Sequence, residues 1–176
     1  DPTLRDAHQS LWATRMTTAM MTPIAPEMDE AGFYNVEVGA AVIFDTCIHH
    51  LKEDPWERLR TMSRLMPRTT ISHGIRGQNV LGWDLVADDV AELVVRTLVR
   101  NGVRRLMVFD PINDLRSTIP TIRAAKEAGV YIVGLLVYTI SPVHTDEYYA
   151  RKAREYVALG VDAVEIRQAR APGDGG

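Results

Sequence analysis

Six residues near the start, Arg5-Asp6-Ala7-His8-Gln9-Ser10, place charge, imidazole and amide directly behind a short apolar stretch at Thr3-Leu4. Beside a buried strand such groups are costly unless they are solvated or paired, so the run marks a candidate site. A loop leading into a helix N-cap is the plainer reading of the same residues. Further apolar runs end in comparable groups: Phe44-Asp45, Arg76-Gly77-Gln78-Asn79, Asp110, and Tyr138-Thr139 with Ser141-Pro142-Val143-His144 beyond. If these runs are parallel strands, their ends share one rim. Acid, arginine and amide groups then converge on a polar pocket for a small anion, with a divalent metal as companion.

Other reactive residue types carry less chemistry. His49 and His50 are neighbours on a helical stretch, where side chains diverge by about 100°, so they read as surface or partly packed histidines rather than a chelating pair. Cys47 has no oriented base near it in sequence and reads as a small buried residue. Met16, Met20, Met21 and Met28 read as core packing. No G-x-G-x-x-G follows any strand candidate and no Walker A pattern is present, so nucleotide binding has no support.

The elements that must position the polar groups repeat along the chain. Ala31-Gly32-Phe33, Asn101-Gly102-Val103, Ala128-Gly129-Val130 and Leu159-Gly160-Val161 each close an amphipathic stretch with Gly and open a β-branched or aromatic run. Gly there suits the left-handed conformation that ends a helix. The runs expected as strands are Thr3-Leu4, Val36-Val38, Thr70-Ile75, Leu106-Phe109, Tyr131-Tyr138 and Val161-Ile166. Their near-continuous apolar character indicates buried parallel strands. Val86, Val90, Leu93, Val94 and Leu98 follow helical spacing, with Asp88 and Asp89 at the positive end. Helix starts are also expected at Glu53-Asp54-Pro55-Trp56-Glu57, at Ser117 before Pro120, and at Thr145 before Asp146 and Glu147. Strand and helix in steady alternation predict an α/β parallel architecture. About six strands correspond to the front two-thirds of a closed barrel, which needs eight strands and about 250 residues. An open Rossmann-like sheet is the alternative.

Composition narrows the function classes. The sequence has 176 residues, 46% hydrophobic and 24% charged, with net charge −3 and one Cys. That fits one globular domain and excludes disordered, collagen-like and disulfide-stapled chains. Basic blocks suited to nucleic acid are missing, as is any apolar run long enough to span a membrane. The sequence opens on Asp1 rather than Met, which leaves a preceding leader open. A cytoplasmic enzyme or enzyme fragment is the default expectation.

Longer blocks carry a family resemblance. Asp1-Pro2-Thr3-Leu4-Arg5-Asp6-Ala7-His8-Gln9-Ser10-Leu11-Trp12-Ala13-Thr14-Arg15-Met16 resembles the opening of the carboxyltransferase domain of biotin-dependent carboxylases. That family includes pyruvate carboxylase, the oxaloacetate decarboxylase α subunit and the transcarboxylase 5S subunit. The likeness continues through Phe44-Asp45, Glu53 to Arg60, Arg76 to Asn79, Val108-Phe109-Asp110, Asn113 to Arg116 and Tyr138 to Thr145. It implies a TIM barrel that moves a carboxyl group between carboxybiotin and pyruvate or oxaloacetate. By the same resemblance Asp6 would ligate a divalent metal (Zn, Mn or Co) and Gln9 would lie beside the reacting keto acid. Arg76 would bind its carboxylate, and Asp45 would lie in the same pocket. A keto-acid carboxylate suits the Arg fork, and a metal near its carbonyl acts as Lewis acid.

The sequence departs from the family pattern at informative places. Gly39-Ala40-Ala41-Val42-Ile43 stands where the family has Trp-Gly-Gly-Ala-Thr, and Trp83 replaces a usual Tyr. Arg167-Gln168-Ala169-Arg170-Ala171 stands where the family carries Lys-Asp-Met-Ala-Gly, whose carbamylated lysine is a metal ligand. Arginine stays charged and forms no such carbamate. These departures give a partial carboxyltransferase domain over 1–166 and a divergent, flexible tail over 167–176, read as a frameshifted end or a remodelled short paralogue. With no Ala-Met-Lys-Met present, biotin is expected on a separate carrier domain or subunit. A remaining barrel segment or partner chain, and a homo-oligomer, are further expected partners, because an open barrel leaves unpaired edges. The isolated chain is expected to be inactive. The alternatives are a catalytically dead structural module and a metal-dependent lyase of the hydroxymethylglutaryl-CoA lyase-like barrel group.

Overall fold

A computed structural model of the chain describes residues 1–168. Five strands form one parallel sheet in sequential order: β1 (Asn35–Ala40), β2 (Thr70–Arg76), β3 (Arg105–Phe109), β4 (Tyr131–Tyr138) and β5 (Ala163–Gln168). Three short helices precede β1: α1 (His8–Leu11), α2 (Thr18–Met21) and α3 (Ala25–Glu30). The crossovers are α4 (Ala41–Thr46) with α5 (Pro55–Leu65), then α6 (Asp88–Arg100), α7 (Ile119–Glu127) and α8 (Asp146–Leu159). Sequential parallel order with helical crossovers is the winding of a (β/α) barrel, not the reversing order of a dinucleotide-binding sheet. The fold is therefore a segment of a TIM-type barrel with five strands rather than six.

The missing strand is the one expected at Thr3-Leu4. Thr3–Ala7 forms a wide helical turn instead. Asp1 Oδ1 accepts a hydrogen bond from the Thr3 N–H at 2.8 Å, and Pro2 O accepts from the Arg5 and Asp6 N–H groups at 3.1 and 2.7 Å. A side chain that satisfies the backbone locally competes with ladder pairing. Pairing with β1 survives at one residue. The Asp1 amino group donates to Asn35 O at 2.7 Å and Glu37 N donates to Asp1 O at 2.9 Å, the two-bond pattern of a parallel neighbour.

Side-chain alternation along the strands separates two faces. Val36, Val38, Ile71, Ile75, Leu106, Val108, Ile132 and Leu136 join one apolar core with Leu59, Met62, Val95, Leu98, Ile122 and Tyr156 of the helices. The opposite face, the barrel interior, carries Glu37, Gly74, Arg76, Met107, Phe109, Leu135, Val137, Glu165 and Arg167.

The expected helix signals hold in most places. Gly32, Gly102, Gly129 and Gly160 all take positive φ, from 68° to 105°, at the exits of helices. Asp54 caps α5 by accepting from Trp56 N at 2.8 Å, and Thr145 caps α8 by accepting from Tyr148 N at 3.3 Å. Ser117 caps nothing: it lies in a short 3-10 turn, Leu115–Thr118, that Asp114 caps by accepting from Arg116 N, and α7 follows with Thr118 at its N-cap position and no side-chain cap bond. On α6 the buried face is Ala91, Val94, Val95 and Leu98, while Val90 and Leu93 are exposed. Met20 is exposed as well, next to buried Met21 on a one-turn helix. β5 continues two residues past Ile166, with Arg167 paired to Val137 and Gln168 to Tyr138. The rest of the expected tail, 169–176, lies outside the described residues.

Candidate active site

The strand ends and the helical segment of Arg5 to Gln9 enclose a cavity of about 260 Å³ at the open end of the barrel interior. Arg5, Asp6, Gln9, Arg76, Arg167 and Gln168 line it alongside Gly74, Met107, Phe109, Leu135 and Val137. Arg5 is fixed first. Its Nε donates to Glu37 Oε2 at 2.7 Å, its Nη2 donates to the same oxygen, and its Nη1 donates to Asp6 Oδ1 at 2.6 Å. Arg5 and Glu37 are both buried. A buried ion pair is kept by further hydrogen bonds of this kind. Arg167 meets Glu37 from the other side, with Nη2 at 3.3 Å from Oε1, and its Nε donates to Glu165 Oε1 at 2.9 Å. One ion network therefore crosses the interior from β1 to β5.

Arg76, at the end of β2, differs. Among the described residues its guanidinium has no carboxylate partner; it stacks on the Trp83 ring at 4.5 Å. Stacking of this type holds the plane while leaving the in-plane donors open to a ligand. Gln9 supplies the complementary group, because its Oε1 is buried without a hydrogen-bond partner among the described residues. Such orphaned acceptors are rare enough to demand an explanation, and a ligand donor is one.

Asp6, Gln9 and Arg76 thus come to one cavity. Asp45 does not line it. Asp45 sits on α4 with His49 Nε2 at 3.6 Å, and Gly82 of the β2–α6 loop packs close to its carboxylate. The other strand-end groups serve the loops. Asp110 accepts from Ile112 N and Asp114 N, both at 2.9 Å, and from Ser117 Oγ at 3.0 Å. Gln78 donates to Asp88 at 2.6 Å, and Asn79 to Trp83 O at 2.7 Å. Ser141 Oγ lies 2.7 Å from His144 Nδ1, and the His144 ring meets Tyr148 edge-on. His49 and His50 are exposed, whereas Cys47 is buried, which pushes its thiol up to about 11.

No protein-family model matches the chain. It is 46% identical to one of the subunits of pyruvate carboxylase from Methanothermobacter thermautotrophicus, over 93% of this chain and 29% of that protein. It is 42% identical to the methylmalonyl-CoA carboxyltransferase 5S subunit of Propionibacterium freudenreichii, over 96% of this chain and 33% of that protein. The carboxyl transferase domain of Rhizobium etli pyruvate carboxylase, solved with pyruvate, superposes with a TM-score of 0.92 at 30% identity, covering 96% of this chain and 30% of that one. The chain is homologous to the carboxyltransferases of pyruvate carboxylase and transcarboxylase. It spans about a third of the length of these relatives.

Against that family pattern, the described part of this carboxyltransferase relative does not fit a metal centre. No group of three or more His, Cys, Asp or Glu side chains is placed to share an ion among the described residues. The Asp6 carboxylate is already held by Arg5, and Arg167 brings a permanent cation into the same cavity. One carboxylate alone does not hold a transition metal firmly.

Glu37, Glu165 and the bridging role of Arg167 were not singled out from sequence. The signal was available: Val36-Glu37-Val38 and Val164-Glu165-Ile166-Arg167 put charges inside apolar runs, at the period of one sheet face. A carboxylate at such a position requires a buried cation.

Proposed function

We propose that the protein containing this chain transfers a carboxyl group between a carboxybiotin carried on another domain or subunit and a small keto acid, pyruvate or oxaloacetate. The observation that carries this reading is Arg76, a guanidinium stacked on Trp83 with no carboxylate partner among the described residues, facing one small cavity with the orphaned Gln9 Oε1. A carboxylate fits the open fork of Arg76 in two parallel hydrogen bonds. Gln9 Oε1 accepts a hydrogen bond from a donor that the keto form lacks and the enol form carries, which favours the form that reacts with the carboxyl group. Arg5 and Glu37 keep Asp6 at the cavity wall. The homology to pyruvate carboxylase and the 5S subunit supports the substrate class.

Steady-state kinetics of the whole protein test this reading. Arg76→Ala should raise KM for the keto acid by about 30-fold or more, since losing a buried charge-assisted contact costs about 2 kcal/mol or more. Arg76→Lys should recover part of the loss as a point charge without the fork. An Arg76→Ala protein with unchanged KM would remove Arg76 from the site.

A second reading is a structural module that does no chemistry itself. The occupation of the cavity wall by Arg167, where the family places a metal-ligating lysine, favours it. Keto acid that binds without any carboxyl transfer in the whole protein would support this reading over the first.

A further inference from the structure

The cavity holds a donor that the carboxyl-transfer reading does not use. Three guanidinium groups line it, those of Arg5, Arg76 and Arg167; Asp6, Glu37 and Glu165 pair with Arg5 and Arg167 and leave Arg76 without a carboxylate among the described residues. Arg5 spends its donors on Glu37 and Asp6. Arg167 is anchored through Nε and Nη2 by Glu165 and Glu37, while its Nη1 has no acceptor among the described residues. Anchoring of this kind fixes the plane of the guanidinium before any ligand arrives, so little rotamer freedom remains to be lost on binding. A divalent cation entering here would meet the unpaired guanidinium of Arg76 and the open Nη1 edge of Arg167, with the one lining carboxylate, Asp6, already held by Arg5 at 2.6 Å.

We infer that this site binds its small carboxylate without a metal ion: Arg76 takes the carboxylate, and Arg167, through its uncommitted Nη1, takes the neighbouring carbonyl oxygen. This rests on the proposed keto-acid reading of the same cavity and names the group that replaces a Lewis acid in it. A guanidinium beside a carbonyl oxygen stabilises negative charge there by hydrogen bonding and Coulomb attraction rather than by coordination. Glu37 and Glu165 position Arg167 and do not touch the ligand themselves.

Calorimetric titration of the whole protein with pyruvate, after exhaustive dialysis against EDTA and again with added Zn²⁺ or Mn²⁺, tests the inference. The expected result is the same dissociation constant in both. Arg167→Gln, with an unchanged circular dichroism spectrum, should bind about tenfold more weakly or worse, and Arg167→Lys should lie between. Binding that disappears in EDTA and returns with metal would overturn the inference while leaving Arg76 as the carboxylate site. Metal-independent binding that Arg167→Gln does not change would also overturn it. Absence of binding in every condition would overturn it together with the keto-acid reading beneath it. The wild-type comparison alone decides the metal question, so a misfolded variant leaves the test intact.

Discussion

His73 lies on β2 fully buried, with neither ring nitrogen hydrogen-bonded among the described residues, edge-on to Phe44 at 5.5 Å. A Cβ at Gly39 would come within 2.3 Å of its ring, so β1 has given up a side chain to seat the imidazole. Burial, aided by the charge of Arg5, depresses its pKa from 6.5 to about 3. The folded state therefore keeps His73 neutral while the unfolded chain takes up a proton below pH 6.5. Stability contributed by the neutral ring is complete above that value and is lost as pH falls towards 3, by about 1.4 kcal/mol per pH unit within the window. His73→Met should flatten the fall in stability between pH 6 and 4 by about that slope, measured by urea unfolding at several pH values. An unaltered slope would show that the ring is protonated in the folded protein. At this scale the sequence was readable where a charged side chain ends a strand, as at Arg76. It was not readable where charges pair across the interior, because Glu37 and Arg167 are 130 residues apart. The position of Asp45 away from the cavity turns on the start of α4 directly after Ala40, which the residue types alone do not set.

Elements lock together through single contacts that leave no margin. The Tyr156 ring of α8 lies flat against Gly134 of β4, where an added Cβ would meet it at 2.6 Å. Its hydroxyl donates to Val108 O or Leu135 O, at 3.2 and 3.3 Å. Gly134→Ala should cost about 1–3 kcal/mol, since a fully buried ring with a bonded hydroxyl has nowhere to move. Asn113 performs a comparable service at the end of β4. Its amide donates to Val137 O and accepts from Val137 N, both at 2.9 Å, standing in for a strand neighbour. Asn113→Ala should cost about 1–3 kcal/mol by stranding the Val137 N–H, while Val137 O keeps the Tyr149 hydroxyl at 3.3 Å, and chemical denaturation would measure it. A neutral result for either variant would mean that the crossover is looser than this packing implies. The glycine-ended helices and apolar strands were legible because their signals are local. Strand one was not, because the Asp1 side chain satisfies the Thr3 N–H and turns the chain before a ladder can form. The buried face of α6 was shifted by one position, since Val90 and Leu93 share the helical period with the true core residues and only the sheet decides which stripe is covered.

At the scale of the whole molecule, the open sheet sets the behaviour. Among the described residues, β5 pairs with β4 on one side, and β1 with β2 and a single residue, Asp1, on the other. Ile166 on β5 and Val157 on α8 are exposed, at 56% and 64%. Unpaired parallel edges beside apolar side chains invite association. Residues 1–176 expressed alone should therefore show a mass that rises with concentration in sedimentation equilibrium. A concentration-independent monomer with one sharp melt would count against this. The central claim concerns chemistry rather than assembly. The measurement that tests it most directly follows a ¹³C label from the transferable carboxyl of oxaloacetate into doubly labelled oxaloacetate, in the whole protein with its biotin carrier and pyruvate labelled with ¹³C at the keto carbon. Carboxyl transfer predicts that the label appears in oxaloacetate newly made from the added pyruvate, that this requires the carrier, and that Arg76→Ala slows it by about 30-fold or more with the keto acid below KM. Label that never leaves the original oxaloacetate, or that is exchanged equally well by Arg76→Ala, would contradict the account.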